Sequence, residues 1–152
     1  MDSRKNYYII GLILGLFLNL SSANARDFDL FGEPDHRIIY QLNTADQKTI
    51  DTILFSIGEL VRTYGDSIHI VVTALGPGIH TLAKNPLRPL SLESRQRISS
   101  LANYGVDFHA CGNTMKSLHW NKEDMLEFAV IIDVGVIDIM LHQERGYSYI
   151  KW

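Results

Sequence analysis

Residues Ser67–Leu75 (SIHIVVTAL) form a nearly continuous apolar run in which only Ser67, His69 and Thr73 are polar. A strand with one wet face alternates apolar and polar residues. A strand without that alternation is covered on both faces, which calls for helices on two sides of a sheet. The segments around it fit such a sheet. His36–Leu42 (HRIIYQL) is short, β-branched and aromatic and reads as a first strand. Thr44, with Gln47 three residues on, has the form of a capping box at a helix start. Apolar residues then recur at Ile50, Ile53, Leu54, Ile57, Leu60, Val61 and Tyr64, at the 3.6-residue period of a helix with one buried face, and Gly65 supplies its stop.

Beyond the central run, Gly76-Pro77-Gly78 breaks the strand, Ile79–Ala83 suits a helical turn, and Lys84–Ser91 reads as a loop around Pro86 and Pro89. Leu92–Tyr104 is expected to be a helix with Ile98, Leu101 and Ala102 facing inward and Gly105 as its stop. Val106–Ala110 predicts a third strand, followed by a turn over Cys111-Gly112-Asn113-Thr114. Asn121 is placed to cap a short helix near Lys122–Glu127. Ala129–Ile132 predicts a fourth strand, Asp133 a cap for a helix over Val134–Arg145, and Tyr147–Lys151 a last strand. Strand and helix alternating over such short connections predict parallel βαβ units. The expected fold is therefore an α/β, three-layer α/β/α sandwich around a mostly parallel sheet of about five strands. Periodicity leaves the strand order open.

The first residues carry a different signal. Arg4 and Lys5 precede the uncharged apolar run Tyr7–Leu20, and Ala23 and Ala25 follow in an A-x-A arrangement. A basic start, an apolar core and small residues at the end are what a signal peptidase reads. The core is shorter than the ~20 residues of a spanning helix. Residues 1–25 are thus expected to be a cleaved signal peptide, 26–35 a lead-in segment and 36–152 one α/β domain, exported to a periplasm or secreted, with no membrane anchor after cleavage. Removing Asp2, Arg4 and Lys5 from the 14 basic and 17 acidic residues leaves a mildly acidic chain. That balance, with no Lys/Arg cluster, argues against a nucleic-acid partner.

The chain contains one cysteine, Cys111. Internal disulfides are therefore excluded, and the residue is an intermolecular link, a reactive thiol or a small buried side chain. Ligand crevices in parallel α/β sheets lie beyond the carboxyl ends of the strands. Gly76-Pro77-Gly78 and Cys111-Gly112-Asn113-Thr114 both fall at such ends. A thiol near a helix N-terminus is shifted toward thiolate by the dipole and by unpaired N–H donors. On residue type alone, the glycine turn reads as a tight turn in which Gly supplies positive φ.

The segments RIIYQLNTAD (37–46), IHIVVTALGPGIHTL (68–82), GVDFHACGNTM (105–115) and GVIDIMLHQERGYSYIKW (135–152) resemble the DsrE/DsrF-like family. The resemblance implies a flavodoxin-like α/β/α fold, assembly as homo-trimers or hexamers, and a cysteine that carries sulfane sulfur as a persulfide. It places that role on Cys111, the supporting turn on Gly112, Asn113 and Thr114, and the facing glycine turn on Gly76, Pro77 and Gly78. It implies sulfur-donor and sulfur-acceptor thiols as partners and no cofactor. Relatives often carry a His just before the glycine turn, where this chain has Leu75.

Asp107, His109 and Cys111 alternate onto one side of a strand, so His109 is a candidate helper for Cys111 with Asp107 orienting its ring. The more ordinary reading is that His109 packs under a helix with its polar tip satisfied. His109, Cys111 and His119 match no closed zinc spacing, and no metal site is expected from them. His36, His69, His80 and His142 have no partner nameable from sequence. Trp120, Tyr147, Tyr149 and Trp152 are candidate interface aromatics. Two functions of different class follow: a sulfur carrier or sulfurtransferase acting through Cys111, or a non-catalytic oligomeric module that binds a small ligand or partner in its crevice. A redox-active thiol is a third.

Overall fold

The structure, a computed structural model, describes residues 33–152. The expected signal peptide and most of the lead-in segment lie outside the described residues. Five strands form one sheet: β1 His36–Leu42, β2 Ile68–Ala74, β3 Asp107–Cys111, β4 Val130–Ile132 and β5 Ser148–Lys151. Their order is β4-β3-β2-β1-β5, and every pairing is parallel. The chain steps outward from β1 to β4, then crosses back to lay β5 on the other side of β1. Right-handed crossovers therefore put α1 (Gln47–Tyr64), α2 (Leu92–Asn103) and α3 (Gly112–Ser117) on one face and α4 (Gly135–Glu144) on the other.

Side-chain alternation divides the core between these faces. Tyr40, Leu42, Ile70, Val72, Ala74, Phe108 and Ala110 join Ile50, Ile53, Leu54 and Ile57 of α1 and Ile98 and Leu101 of α2 in one large cluster. Ile39 and Val71 face the other way and meet Ile139 of α4 in a small one. The two central strands β1 and β2 contribute to both layers, which is why the central run showed no simple alternation.

Local starts differ from expectation at three helices. Asp46 caps α1, its carboxylate accepting from Thr49 N at 2.8 Å, while Thr44 Oγ1 instead accepts from Asp46 N at 3.0 Å. Gln47 is already inside the helix and reaches across to Ser91 and Ser94 at the start of α2. Residues 112–114 are the first turn of α3 rather than an irregular turn, with Cys111 at the cap position. Asp133 does not cap α4. The cap position is Val134, with no side-chain bond, and the Asp133 carbonyl accepts from Asn113 N at 3.1 Å. Asn121 does cap, in a reciprocal box with Asp124. Ile79–Leu82 belongs to a longer 3-10 segment, Gly76–Leu82, and Ala83 follows it in extended conformation.

Among the described residues, no helix is long and apolar enough to cross a membrane.

Candidate functional site

Cys111 is the last residue of β3, where the strand gives way directly to α3. Its side chain points to the α4 side of the sheet, and the close approach of two helix starts builds its surroundings. Gly135 N donates to Cys111 Sγ at 3.3 Å. A Cβ at Gly135 would lie 3.2 Å from Leu75 Cβ, 3.4 Å from Cys111 Cβ and 3.5 Å from the sulfur, so any side chain there would press on Leu75 and ease α4 away by a few tenths of an ångström. Leu75 is thus an apolar wall of the site.

The glycine turn and the cysteine segment meet through Thr114. Its Oγ1 accepts from Gly76 N at 3.0 Å, and the same side chain lowers the pKa of the Cys111 thiol. Gly76 has φ +50°, so the turn does use positive φ there. Gly78 serves a different purpose: a Cβ there would fall 2.0 Å from the Leu42 carbonyl oxygen. Pro77 lies between them and is exposed. Gly112 is held against the end of β4, its Cβ position 3.0 Å from the Ile132 carbonyl oxygen. Gly76, Cys111, Gly112, Asn113 and Thr114 therefore share one end of the sheet, joined by Gly135, which sequence reasoning did not single out.

Two opposed effects act on the thiol. Burial raises its pKa, because Cys111 is only 4% exposed. The donor groups near the sulfur lower it, the Thr114 hydroxyl and amide, the Gly135 amide that donates at 3.3 Å and the Asn113 amide, and together they prevail, leaving the thiol below its ordinary value. The geometry supplies a thiolate-favouring nest but little open surface above the sulfur.

His109 lies two residues back on the same face of β3, yet its partner is not the cysteine. His109 Nδ1 donates to Asp138 Oδ2 at 2.9 Å, and among the described residues no hydrogen bond joins it to Cys111. Asp107 does not orient His109 either, since its carboxylate binds His69 Nε2 at 3.0 Å, and His69 Nδ1 meets Tyr147 OH at 2.8 Å. The helper triad over 107, 109 and 111 is thus corrected. Strand alternation put these side chains on one face, but α4 and β2 supplied nearer partners. His109 instead packs under α4 with its tip satisfied.

Asp138 on α4 is the hub that the sequence reading missed. Its carboxylate accepts from Thr73 Oγ1 at 2.6 Å and from His109, and it lies 3.3 Å from His142 Nδ1. Burial alone would raise its pKa, but the bonds from His109 and Thr73 outweigh burial and keep it below the usual carboxylate value. The spacing of Asp138 and His142, one helical turn apart, was the available signal.

Of the remaining candidates, Tyr147 stacks edge-on against His142 and Trp120 against His80, so both serve the interior. Tyr149, whose hydroxyl donates to Gln41, and Trp152 are exposed on the β5 side. His36 packs against Tyr64.

The fold is found in solved structures. A protein of unknown function from Methanobacterium thermoautotrophicum matches with a TM-score of 0.70 at 25% identity, over 78% of this chain and 100% of its own. The ychN protein from E. coli matches with a TM-score of 0.60 at 8% identity, over 77% and 99%. A conserved protein of unknown function from Bacteroides thetaiotaomicron gives 0.57 at 13%, over 76% and 94%. No curated protein matches the sequence. The family model for DsrE/DsrF-like proteins matches residues 36–152, the whole of the α/β domain, and the chain therefore belongs to the DsrE/DsrF-like family.

Proposed function

We propose that this protein is an exported sulfur carrier, with sulfurtransferase activity, that holds sulfane sulfur as a persulfide on Cys111. The observation that carries the reading is the Gly135 N–H donating to the sulfur at 3.3 Å, with the start of α3 at Thr114 beside it, a setting that favours the charged thiolate. In the transfer step the Cys111 thiolate attacks the outer sulfur of a donor persulfide. The donor S–S bond breaks, a new S–S bond forms on Cys111, and the electron pair leaves on the donor thiolate. An acceptor thiolate reverses these roles and regenerates Cys111. The same amides that hold the thiolate would hold charge on the persulfide. Donor and acceptor thiols are the expected partners, and no cofactor enters this chemistry.

Assembly of like chains belongs to this reading. α4 exposes Val136, Ile137, Met140 and Leu141, while its inner face is already occupied by the sheet. A helix that shows four large apolar side chains to solvent on the face turned away from the sheet presents a surface suited to being covered. A second copy covering α4 in a homo-trimer or hexamer would also shield the thiol in an oxidising compartment.

The second reading is a non-catalytic oligomeric module that binds a small ligand or partner, and the near-complete burial of Cys111 favours it. Intact-mass spectrometry of the mature chain after incubation with a persulfide donor separates the two. The carrier gains one or more sulfur atoms, reversibly with reductant, and Cys111→Ser gains none. A wild-type thiol that accepts no sulfur and resists alkylation in the folded state would overturn the carrier and leave the binding module.

A further inference from the structure

We propose that His109, Asp138 and His142 form a binding site for one divalent first-row transition ion of the zinc type, between α4 and the sheet. The site is independent of the sulfur-carrier reading and does not use Cys111.

One donor atom from each of the three side chains lies within 4.8 Å of the other two. His109 Nδ1 is 2.9 Å from Asp138 Oδ2, and His142 Nδ1 is 3.3 Å from Asp138 Oδ1. An ion with bonds of about 2.1 Å holds its donors roughly 3.0–3.4 Å apart, so each imidazole already stands near coordination-edge length from one oxygen of the carboxylate between them. Binding draws the two imidazole nitrogens, which lie within 4.8 Å of each other, toward a common centre on the carboxylate.

The chemistry of the donor set is also selective. Two imidazoles and one carboxylate suit zinc, cobalt or nickel rather than calcium or magnesium, which prefer oxygen alone. Asp138 and His142 sit at i and i+4 on α4, a rigid spacing that aims both at the same point. His109 comes from the central part of the sheet, so the cluster rests on two different elements. Thr73 Oγ1 donates to Asp138 Oδ2 at 2.6 Å and fixes the carboxylate plane, the outer support that metal-binding carboxylates require. The three side chains are nearly buried, at 12%, 9% and 10% exposure for His109, Asp138 and His142. Dry surroundings strengthen an ion's hold on its ligands.

Without an ion the cluster is held by protons. The contacts of His142 Nδ1 are the Asp138 carboxylate and the Asp138 carbonyl at 2.8 Å, both acceptors, so this nitrogen carries hydrogen. An ion would take the place of the protons that His109 and His142 share with Asp138. Each neutral ring then keeps its proton on Nε2. Three protein ligands leave a further coordination position open, as in zinc sites that accept an exchangeable ligand.

The test uses the mature chain, stripped with chelator and refolded from urea with Co²⁺ so that burial does not limit entry. We expect one Co²⁺ per chain with visible d–d absorption, no sulfur-to-cobalt charge-transfer band, and displacement by Zn²⁺. His142→Ala and Asp138→Asn should each weaken binding at least tenfold, and Cys111→Ser should leave it unchanged. Nitrogen-detected NMR of the wild-type histidine rings adds a readout that needs no variant: Zn²⁺ should move His109 and His142 and leave His36 and His119 in place. Saturable binding that is lost in Cys111→Ser, ring shifts confined to other histidines, or no binding at one ion per chain would each overturn the site and leave a hydrogen-bonded cluster only.

Discussion

Gly135 N–H donates to Cys111 Sγ across 3.3 Å, so the first residue of α4 holds the sulfur that ends β3. This one bond ties α4, the one helix on its face of the sheet among the described residues, to the only cysteine in the chain. It also makes the spacing between α4 and β3 a determinant of thiol acidity.

Gly135→Ala tests that spacing. The added methyl must fit 3.2 Å from Leu75 Cβ and 3.5 Å from the sulfur, which pushes α4 away. Overpacking of this kind costs about 1–3 kcal/mol. We expect a lower urea midpoint, and an alkylation rate whose pH dependence moves upward because the amide donor has withdrawn. An unchanged alkylation profile would show that the Gly135 amide contributes little to the thiolate.

Thr114→Val removes a hydroxyl that both accepts from Gly76 N and lowers the pKa of the Cys111 thiol. Loss of the backbone bond is expected to cost about 1 kcal/mol, and the thiol pKa should rise toward its ordinary value of about 8.5. The sign is fixed by linkage. A thiol whose folded pKa is depressed contributes stability above the unfolded value, and that contribution fades as pH falls through the folded value. The stability of wild type relative to Cys111→Ala should therefore increase with pH up to about 8.5, and this increase should be smaller in the Thr114→Val background. Urea melts across pH measure it.

Gly78→Ala and Gly58→Ala should behave oppositely. At Gly78 a Cβ would meet the Leu42 carbonyl oxygen at 2.0 Å, with rigid backbone on both sides. We expect a loss of more than about 4 kcal/mol, the range reserved for strain that cannot relax. Gly58 lies inside α1 with nothing within 4 Å of its Cβ position, and alanine there should stabilise by about 0.5–1 kcal/mol. Chemical denaturation of the pair checks both signs.

Ile137→Asp places a charge on the outer face of α4, where Ile137 is 48% exposed in the single chain. The variant should fold with stability within about 0.5 kcal/mol of wild type as a monomer. Light scattering should show wild type as a trimer or hexamer and the variant dissociated. A wild type that elutes as a monomer would remove the assembly from the proposed function.

Expression of the full chain in a bacterial host should release a mature form beginning at Arg26 into the periplasm or medium. Amino-terminal sequencing reads the cleavage point. Retention of Met1 in the cell would overturn export.

The sequence by itself determined the elements. The apolar run of β2, the 3.6-residue period of α1, the Asn121 cap and the stop at Gly65 are properties of neighbouring residues, and all reappear in the structure. It also placed Cys111 and the glycine turn at strand ends, because that depends only on where a strand pattern stops. The caps at Thr44 and Asp133 were misplaced because several polar residues near a helix start compete within two or three positions, and packing chooses among them. Tertiary structure alone decided the strand order, and with it the partners. Crossing back from β4 to β5 lays α4 over β1, β2 and β3, bringing Gly135 to Cys111 and Asp138 to Thr73 and His109, residues 24 to 65 apart along the chain. Short-range periodicity reports which face a side chain occupies. What waits on that face is set by a crossover whose contacts are non-local, so His109 and Asp107 were legible as neighbours and not as partners of Asp138 and His69.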